Sequence, residues 1–346
     1  MSTKQLTSPL TTFSNVQTIL PGFMLCGVIA AAASFISEHY GGPKFLYALL
    51  LGISFHFLVD NPRCILGIET CAKKLVRVGV ALLGVRIAVS DISDLGPLGV
   101  IALAAGVGLT IGFSLLLARI LKLPYILGLL AGGATGICGI SAAMAISSTL
   151  PQNDSNEHYT LLTAIGIATF STLAMIMYPL TVSYLGLTTA EAGLFLGGSI
   201  HDVAQVVGAG YMLSPEIGDA ATLAKMFRVA ILMPVIMILV VALRSEREKF
   251  DGKEGKRQPL IPLFLMVFIT LIVLNQFGWI SADVSTLFST ISTWCLVLSI
   301  AALGVKTSFE KLVGLGWKPI VLLMSNTAFI ALYMLTIIYF SRIISN

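Results

Sequence analysis

In the stretch GGSIHDVAQVVGAG, residues 197–210, His201, Asp202 and Gln205 stand together in a run otherwise built of Gly, Ala, Val, Ile and Ser. On a continuous helix, His201 and Gln205 share a face with Gly208. Asp202 lies about 100° round, within reach of Gln205. These side chains suit the handling of an anion and a proton. Gln205 donates from its amide, and a protonated His201 donates from both ring nitrogens. An intramembrane carboxylate suits a proton relay, so Asp202 either holds His201 protonated or carries a coupling proton. The alternative is a satisfied structural network. A metal pair is not expected, because His39, His56 and His158 carry no ligand-like spacing.

A second stretch, GLLAGGATGICGISAAMA at 128–145, shares a beginning with GLFLGGSIHDVAQVVGAG at 193–210: Gly-Leu-x-x-Gly-Gly and then a small residue. Glycine in a helix interior costs about 1 kcal/mol relative to alanine. Paired glycines at Gly132–Gly133 and Gly197–Gly198 therefore predict breaks in two helices. Broken backbone at membrane depth is tolerated only inside protein or along a watery cavity, and the start of the second half-helix attracts anions. Gly136 and Gly139 look like such a start, with Ser141 as its N-cap. The other reading of the glycines is close packing through small residues. The expected binding set is Thr135, Gly136, Cys138, Gly139, Ser141, Ser199, His201, Gln205 and Arg228, with Asp202 for coupling. No cofactor is expected.

Lys225 and Arg228, in LAKMFRVAILMP, are anomalous cations that open an apolar segment. They would either snorkel to the membrane interface or tilt toward a cavity and attract an anion. Arg86 and Lys306 are the other basic residues expected near the membrane interior.

The elements that position these residues follow from composition. The chain has 346 residues, of which 56% are hydrophobic and 11% charged, against about 25% charged in soluble domains. Mean hydropathy is +0.93. A span needs roughly 20 apolar residues, and such runs recur from end to end. They lack the in-out alternation of a lipid-embedded barrel. The predicted fold is an all-α polytopic membrane protein with about eleven transmembrane helices, near 17–37, 43–60, 72–90, 97–119, 124–150, 159–184, 190–212, 222–243, 259–279, 285–305 and 319–341. Five scattered cysteines predict neither a disulfide framework nor a zinc site. The net charge of +4 is mild and does not point to nucleic acid.

Positive charge orients the chain. The polar stretch 244–258 carries Arg244, Arg247, Lys249, Lys253, Lys256 and Arg257 and is expected in the cytoplasm, linking an N-terminal half (17–243) to a C-terminal half (259–346) of one transmembrane domain. Counting outward puts Arg63, Lys73, Lys74, Arg119, Lys122, Lys311 and Lys318 inside as well. The loops EHYGG, DISDLG, PQNDSNEH and ISADVS, which lack Lys and Arg, fall outside. The N-terminus is then cytoplasmic and the C-terminus external.

An internal repeat relates ALLGVRIAVSDISDLG (81–96) to AALGVKTSFEKLVGLG (301–316), with Arg86 aligned to Lys306. The two copies lie seven segments apart, so they would run in opposite directions, as inverted repeats of secondary transporters do.

Four stretches carry a family resemblance: GICGISAAMA (136–145), GGSIHDVAQVVGAGY (197–211), KMFRVAILMPV (225–235) and AALGVKTSFEKLVGLGWKP (301–319). In order and spacing over nearly the whole chain, the sequence resembles the YeiH-like sulfate exporter family. That resemblance implies a multi-pass plasma-membrane transporter. Gly136 stands where a serine is expected, with Thr135 adjacent, and Asp202 stands where glutamate is common. A more distant likeness, from LGVRIAVSDIS through PYILGLLAGGATG, is to bile-acid-type sodium symporters and implies crossed, broken helices. In those proteins the broken helices lie an odd number of spans apart, whereas here they are the fifth and seventh.

The leading expectation is a secondary transporter of a small anion, sulfate or an organic sulfonate or carboxylate, and not an enzyme. An intramembrane enzyme would need a nucleophile–base pair or metal cluster beyond His201–Asp202, and a channel would need a continuous polar pore. No G-x-x-x-x-G-K-[ST] loop is present to bind nucleotide. Expected partners are the small anion and the lipid bilayer, with self-association open.

Overall fold

The structure is a computed structural model that describes residues 9–87, 96–150, 153–242, 263–307 and 316–345. The expected linker 244–258 and the far halves of the repeat, 88–95 and 308–315, lie outside the described residues. Within them the regular structure is helical: α1 (Pro9–Tyr40), α2 (Lys44–Ser54), α3 (Ile65–Thr70), α4 (Val76–Leu83), α5 (Gly96–Ile120), α6 (Tyr125–Gly136), α7 (Ile140–Ser147), α8 (Asp154–Leu185), α9 (Thr189–Ser199), α10 (Val203–Leu213), α11 (Pro215–Ala242), α12 (Leu263–Gln276), α13 (Ala282–Lys306) and α14 (Trp317–Ser345). Six helices are long and apolar enough to cross a membrane: Thr18–Tyr40, Gly96–Ile120, Asp154–Leu185, Pro215–Leu239, Ala282–Lys306 and Trp317–Ile343. The other apolar segments form shorter pieces. The expected span at 72–90 is one of them: α3 and α4 join through a π-helical turn at Cys71–Leu75.

The chain forms two compact units. One comprises residues up to Gly79 with Thr290–Thr307, and the other comprises Val80–Ser289 with Ser308 onward. The first unit is held by glycine contacts. A Cβ on Gly22 would lie 2.8 Å from the Cα of Gly67, and one on Gly52 would lie 2.9 Å from the Cα of Gly304. Helix backbones approach this closely only where side chains are absent. Ser292 and Ser299 add hydrogen bonds to the Gly79 and Cys71 carbonyls, at 2.6 and 3.0 Å. Lys306 pairs with Glu69 at 3.7 Å on a partly exposed surface.

The second unit carries the two broken helices, α6–α7 and α9–α10, among α5, α8, α11 and α14. Its helix starts are legible in the local sequence. Asn153 caps α8 through Asn156 N–H at 2.9 Å. Thr188 and Glu191 form a reciprocal capping box on α9. Glu191 also takes two bonds from the Arg342 guanidinium, both 2.6 Å. Gly186, at φ 55°, ends α8 in the left-handed conformation.

The breaks do not fall at the paired glycines. Gly132–Gly133 and Gly197–Gly198 lie inside α6 and α9, and the helices stop later, at Gly136 and Ser199. The glycine pairs serve close packing. A Cβ on Gly132 would meet Ser114 at 2.7 Å, one on Gly197 would meet Ala224 at 2.7 Å, and one on Gly198 would run into the side chain of Met334. Both readings of these glycines hold, at different residues: packing at the pairs, and a break a few residues downstream.

Candidate functional site

The two breaks, residues 137–139 and 200–202, meet inside the second unit. A Cβ on Gly139 would lie 3.4 Å from the main-chain oxygen of His201. A helix end leaves its last four carbonyls without helical partners and carries partial negative charge. Here two such ends are buried side by side. In α6, Ile137 N–H takes the Gly133 carbonyl (3.0 Å) and Gly139 N–H takes that of Ala134 (2.8 Å). The remaining carbonyls go to two cations from α11.

Arg228 directs its guanidinium at both helix ends. Nε donates to Gly136 at 2.8 Å, and one terminal nitrogen donates to Gly197 (3.2 Å) and Gly198 (2.6 Å). The other donates to Thr135 at 2.8 Å and to Gly136. A guanidinium has five N–H bonds in a fixed fork, and all five are engaged by main-chain oxygens. Lys225, one turn earlier, donates to Ile137 and Ile200, each at 2.7 Å. These two carbonyls account for two of the three N–H bonds of an ammonium. Both cations are fully buried, at 0% and 1% exposure. They sit mid-way along a helix that begins at Pro215, so they neither open the segment nor snorkel to an interface. Of the two expected placements, snorkelling is excluded and the inward one is found, with main-chain carbonyls of the helix ends as the partners.

The starts of the second half-helices differ. The N-cap of α7 is Gly139, at φ 69°, with no side-chain hydrogen bond. Ser141 is not the cap; it is the second helical residue and its side chain is exposed. The N-cap of α10 is Asp202, whose carboxylate accepts from Ala204 N–H at 3.1 Å. His201 and Asp202 thus lie in the break rather than on a continuous helix face with Gln205, which corrects the expected stripe.

Gln205 is the hub of a chain of hydrogen bonds to α8. Asp202 N–H donates to Ser171 Oγ (3.1 Å), and Ser171 O–H donates to Gln205 Oε1 (3.0 Å). Gln205 Nε2 donates to Thr172 Oγ1 (3.2 Å), and Thr172 O–H donates to the Ala168 carbonyl (2.9 Å). His201 is held by α14: its Nε2 lies 2.8 Å from Thr327 Oγ1. Its Nδ1 is buried without a hydrogen-bond partner among the described residues. His201 therefore pairs with Thr327, which removes one of the two expected roles of Asp202, holding His201 protonated through a direct hydrogen bond. Thr135 Oγ1 is also buried without a partner. Cys138 is buried beside the first break, and Ser199 turns its hydroxyl back to the Phe195 carbonyl at 2.5 Å.

Thr135, Gly136, Cys138 and Gly139 flank one break, Ser199, His201, Asp202 and Gln205 flank the other, and Arg228 joins the two. Arg86 lies elsewhere in the same unit: it pairs with Asp219 at 3.1 Å and stacks over Tyr211, whose hydroxyl also donates to Asp219. Sequence reasoning left out Lys225 as a site residue, together with Ser171, Thr172 and Thr327. Lys225 had a signal, a charge three residues from Arg228 inside an apolar helix. The hydroxyls had none, because Thr and Ser recur along these helices. Among the described residues no cluster of His, Cys, Asp and Glu could hold a metal.

A family model described as Conserved hypothetical protein 698 matches residues 21–323. A UPF0324 membrane protein of Rhizobium meliloti, RB0971, is 45% identical over 92% of this chain and 92% of its own length. The chain belongs to the UPF0324 family of membrane proteins. This is the YeiH-like family that the motifs resemble. Its relatives include TauZ of Paracoccus denitrificans, 42% identical over 92% of this chain and 94% of TauZ, and CT0845 of Chlorobaculum tepidum, 43% identical over 91% and 88%. Both are named UPF0324 membrane proteins. With six apolar helices of spanning length, the protein is a multi-pass membrane protein.

Proposed function

We propose that the protein is a secondary transporter, not an enzyme, that carries a small anion of the sulfate, sulfonate or carboxylate class across the plasma membrane. One observation carries this reading: two fully buried cations and a glycine-capped helix start converge where two broken helices meet. Half-helix starts offer main-chain N–H groups and partial positive charge to an anion. Arg228 has every donor engaged by main chain, so it serves as a clamp that leaves its charge at the site. In this reading the ligand would engage Lys225, Thr135 and the start of α7. Asp202 is the proposed coupling carboxylate.

In this reading the short and broken helices complete eleven crossings, with the N-terminus cytoplasmic, the C-terminus external and the repeat inverted. Broken helices joined at their breaks are what the likeness to bile-acid-type symporters implies. The test is flux into proteoliposomes of a panel of labelled small anions, with and without a pH or sodium gradient. Saturable flux of at least one anion, lost in Lys225→Met, is the expected result. Absence of flux for every anion from folded, reconstituted protein would overturn the proposal.

A further inference from the structure

Four of the five cysteines, scattered in the sequence, gather in the first unit: Cys26 on α1, Cys64 and Cys71 at the two caps of α3, and Cys295 on α13. All four are free thiols. Helices α1 and α3 touch through glycine. A Cβ on Gly22 would lie 2.8 Å from the Gly67 Cα, and one on Gly67 would lie 2.6 Å from the Gly22 Cα. Four residues on, each helix turns a cysteine to the same seam, Cys26 from α1 and Cys71 from α3. The Cys26 S–H donates to the Cys71 sulfur, and both residues are fully buried. Two thiols in contact across backbones this close need no large movement to be bridged. Cys71 also opens the π-helical turn Cys71–Leu75, and Ser299 holds its carbonyl at 3.0 Å. Cys64 lies near Cys26 and Cys295 near Cys71, and both are partly exposed. The proposed anion site uses none of these four thiols.

We propose that Cys26 and Cys71 are a peroxide-sensitive thiol pair that closes to a disulfide across the contact of α1 with α3. The oxidant is a hydroperoxide, of which hydrogen peroxide is the smallest, and its entry to a buried pair needs only local opening. Cys71, the acceptor of the pair, is the attacking sulfur. It takes one peroxide oxygen, the O–O bond breaks, and its proton leaves with the other oxygen as an alcohol or water. Cys71 is then a sulfenic acid. Cys26 displaces hydroxyl from that sulfur as the S–S bond forms, and its proton leaves with the hydroxyl as water. Two thiols are oxidised and one hydroperoxide is reduced. Condensation outruns further oxidation because the second thiol is already in contact, whereas another peroxide must arrive. The new bond ties α1 to the π-helical turn through which α3 passes into α4.

The test treats purified full-length protein with hydrogen peroxide, denatures it in an alkylating reagent and digests it without reductant. Peptide mass spectrometry should find Cys26 joined to Cys71 with two hydrogens lost, and dithiothreitol should restore both thiols. Cys71→Ala should lose the cross-link. Cys26→Ala should leave Cys71 as a sulfenic acid that dimedone labels, and Cys295→Ala should keep the cross-link. The wild-type peptide map decides the question even where a variant misfolds. Oxidised wild type should also unfold at a higher temperature than the reduced protein, because the bond closes a loop in the unfolded chain, and Cys71→Ala should show no such shift. Absence of a Cys26–Cys71 cross-link after peroxide, whether the thiols stay reduced or over-oxidise, would overturn the inference, as would a bond joining other cysteines instead. Either result leaves the anion-transport reading standing.

Discussion

The two broken helices begin alike and end differently. Each opens Gly-Leu-x-x-Gly-Gly, and the carbonyls at the end of each first half are closed by the same two cations, Lys225 and Arg228. Past the break they diverge. The α7 start has a glycine cap at φ 69°, which offers no side chain of its own to the first turn. The α10 start carries its own anion, the Asp202 carboxylate, and is tied to α8 through Gln205. One helix start has a glycine at its cap, and the other carries a carboxylate there. The two caps do not stand at matching places in the shared motif: counted from the glycine pairs, Asp202 falls opposite Ile137 and Gly139 opposite Ala204.

The clamp shared by both breaks should give the largest effect. Arg228→Met removes five hydrogen bonds and leaves the carbonyls of Thr135, Gly136, Gly197 and Gly198 buried without that partner. At about 1–3 kcal/mol for each unsatisfied group, the loss should reach about 4 kcal/mol or more. The expected outcome is a protein that is inserted poorly or unfolds in mild detergent, read by thermal unfolding of the purified variant. Arg228→Lys should rescue little, since an ammonium cannot reproduce the planar fork. Wild-type-like stability of Arg228→Met would mean that the two breaks are held by other contacts.

Lys225→Met should cost less, about 2 kcal/mol, because only the Ile137 and Ile200 carbonyls lose a partner. The variant should fold but lose anion binding, measured by calorimetry against wild type. Retained binding would move the anion's charge partner elsewhere.

How far the sequence carries this comparison depends on the residue. An all-helical membrane protein and two interrupted helices follow from composition and glycine spacing. The positions of the breaks do not, because Gly132–Gly133 and Gly197–Gly198 satisfy packing against α5, α11 and α14, and helices tolerate glycine when a neighbour fills the space. Lys225 and Arg228 were visible as anomalies, but their role depends on carbonyls 25 to 93 positions away in the chain. Asp202 as a cap was hidden by placing the second break at Gly197–Gly198, a few residues before its actual position. Thr327 gave no sign at all: its part follows only from the approach of α14 to His201.

Gly139→Leu tests the open start. A leucine at φ 69° is strained by about 1–3 kcal/mol, and its Cβ would press on Ile167 at 3.3 Å and on the His201 carbonyl. The protein should still fold and insert, and anion flux should vanish. Gly186→Asn is the control. Gly186 has a similar positive φ, 55°, with nothing near its Cβ, and asparagine tolerates that conformation. It should transport normally. Normal flux in Gly139→Leu would reduce the first break to a packing feature.

The occupied start should give the smallest effect on stability and the most specific effect on function. Asparagine caps helices about as well as aspartate. In Asp202→Asn the bond to Ala204 N–H therefore survives, and what is lost is one negative charge at a helix start, worth about 0.3–1 kcal/mol, with its attraction to Lys225. The main-chain bond from Asp202 to Ser171 does not involve the carboxylate and is unaffected. A folding defect can then be separated from a coupling defect within one variant. If Asp202 carries the coupling proton, Asp202→Asn should bind substrate and support counterflow exchange at close to wild-type rates, while net flux stops responding to a pH gradient. Binding and gradient-driven flux are measured on the same purified protein, with thermal unfolding to verify the fold. Full pH-driven flux in Asp202→Asn would remove the proton from this carboxylate. The difference between the two breaks would then be purely architectural: one helix start capped by the chain itself, the other left for the anion.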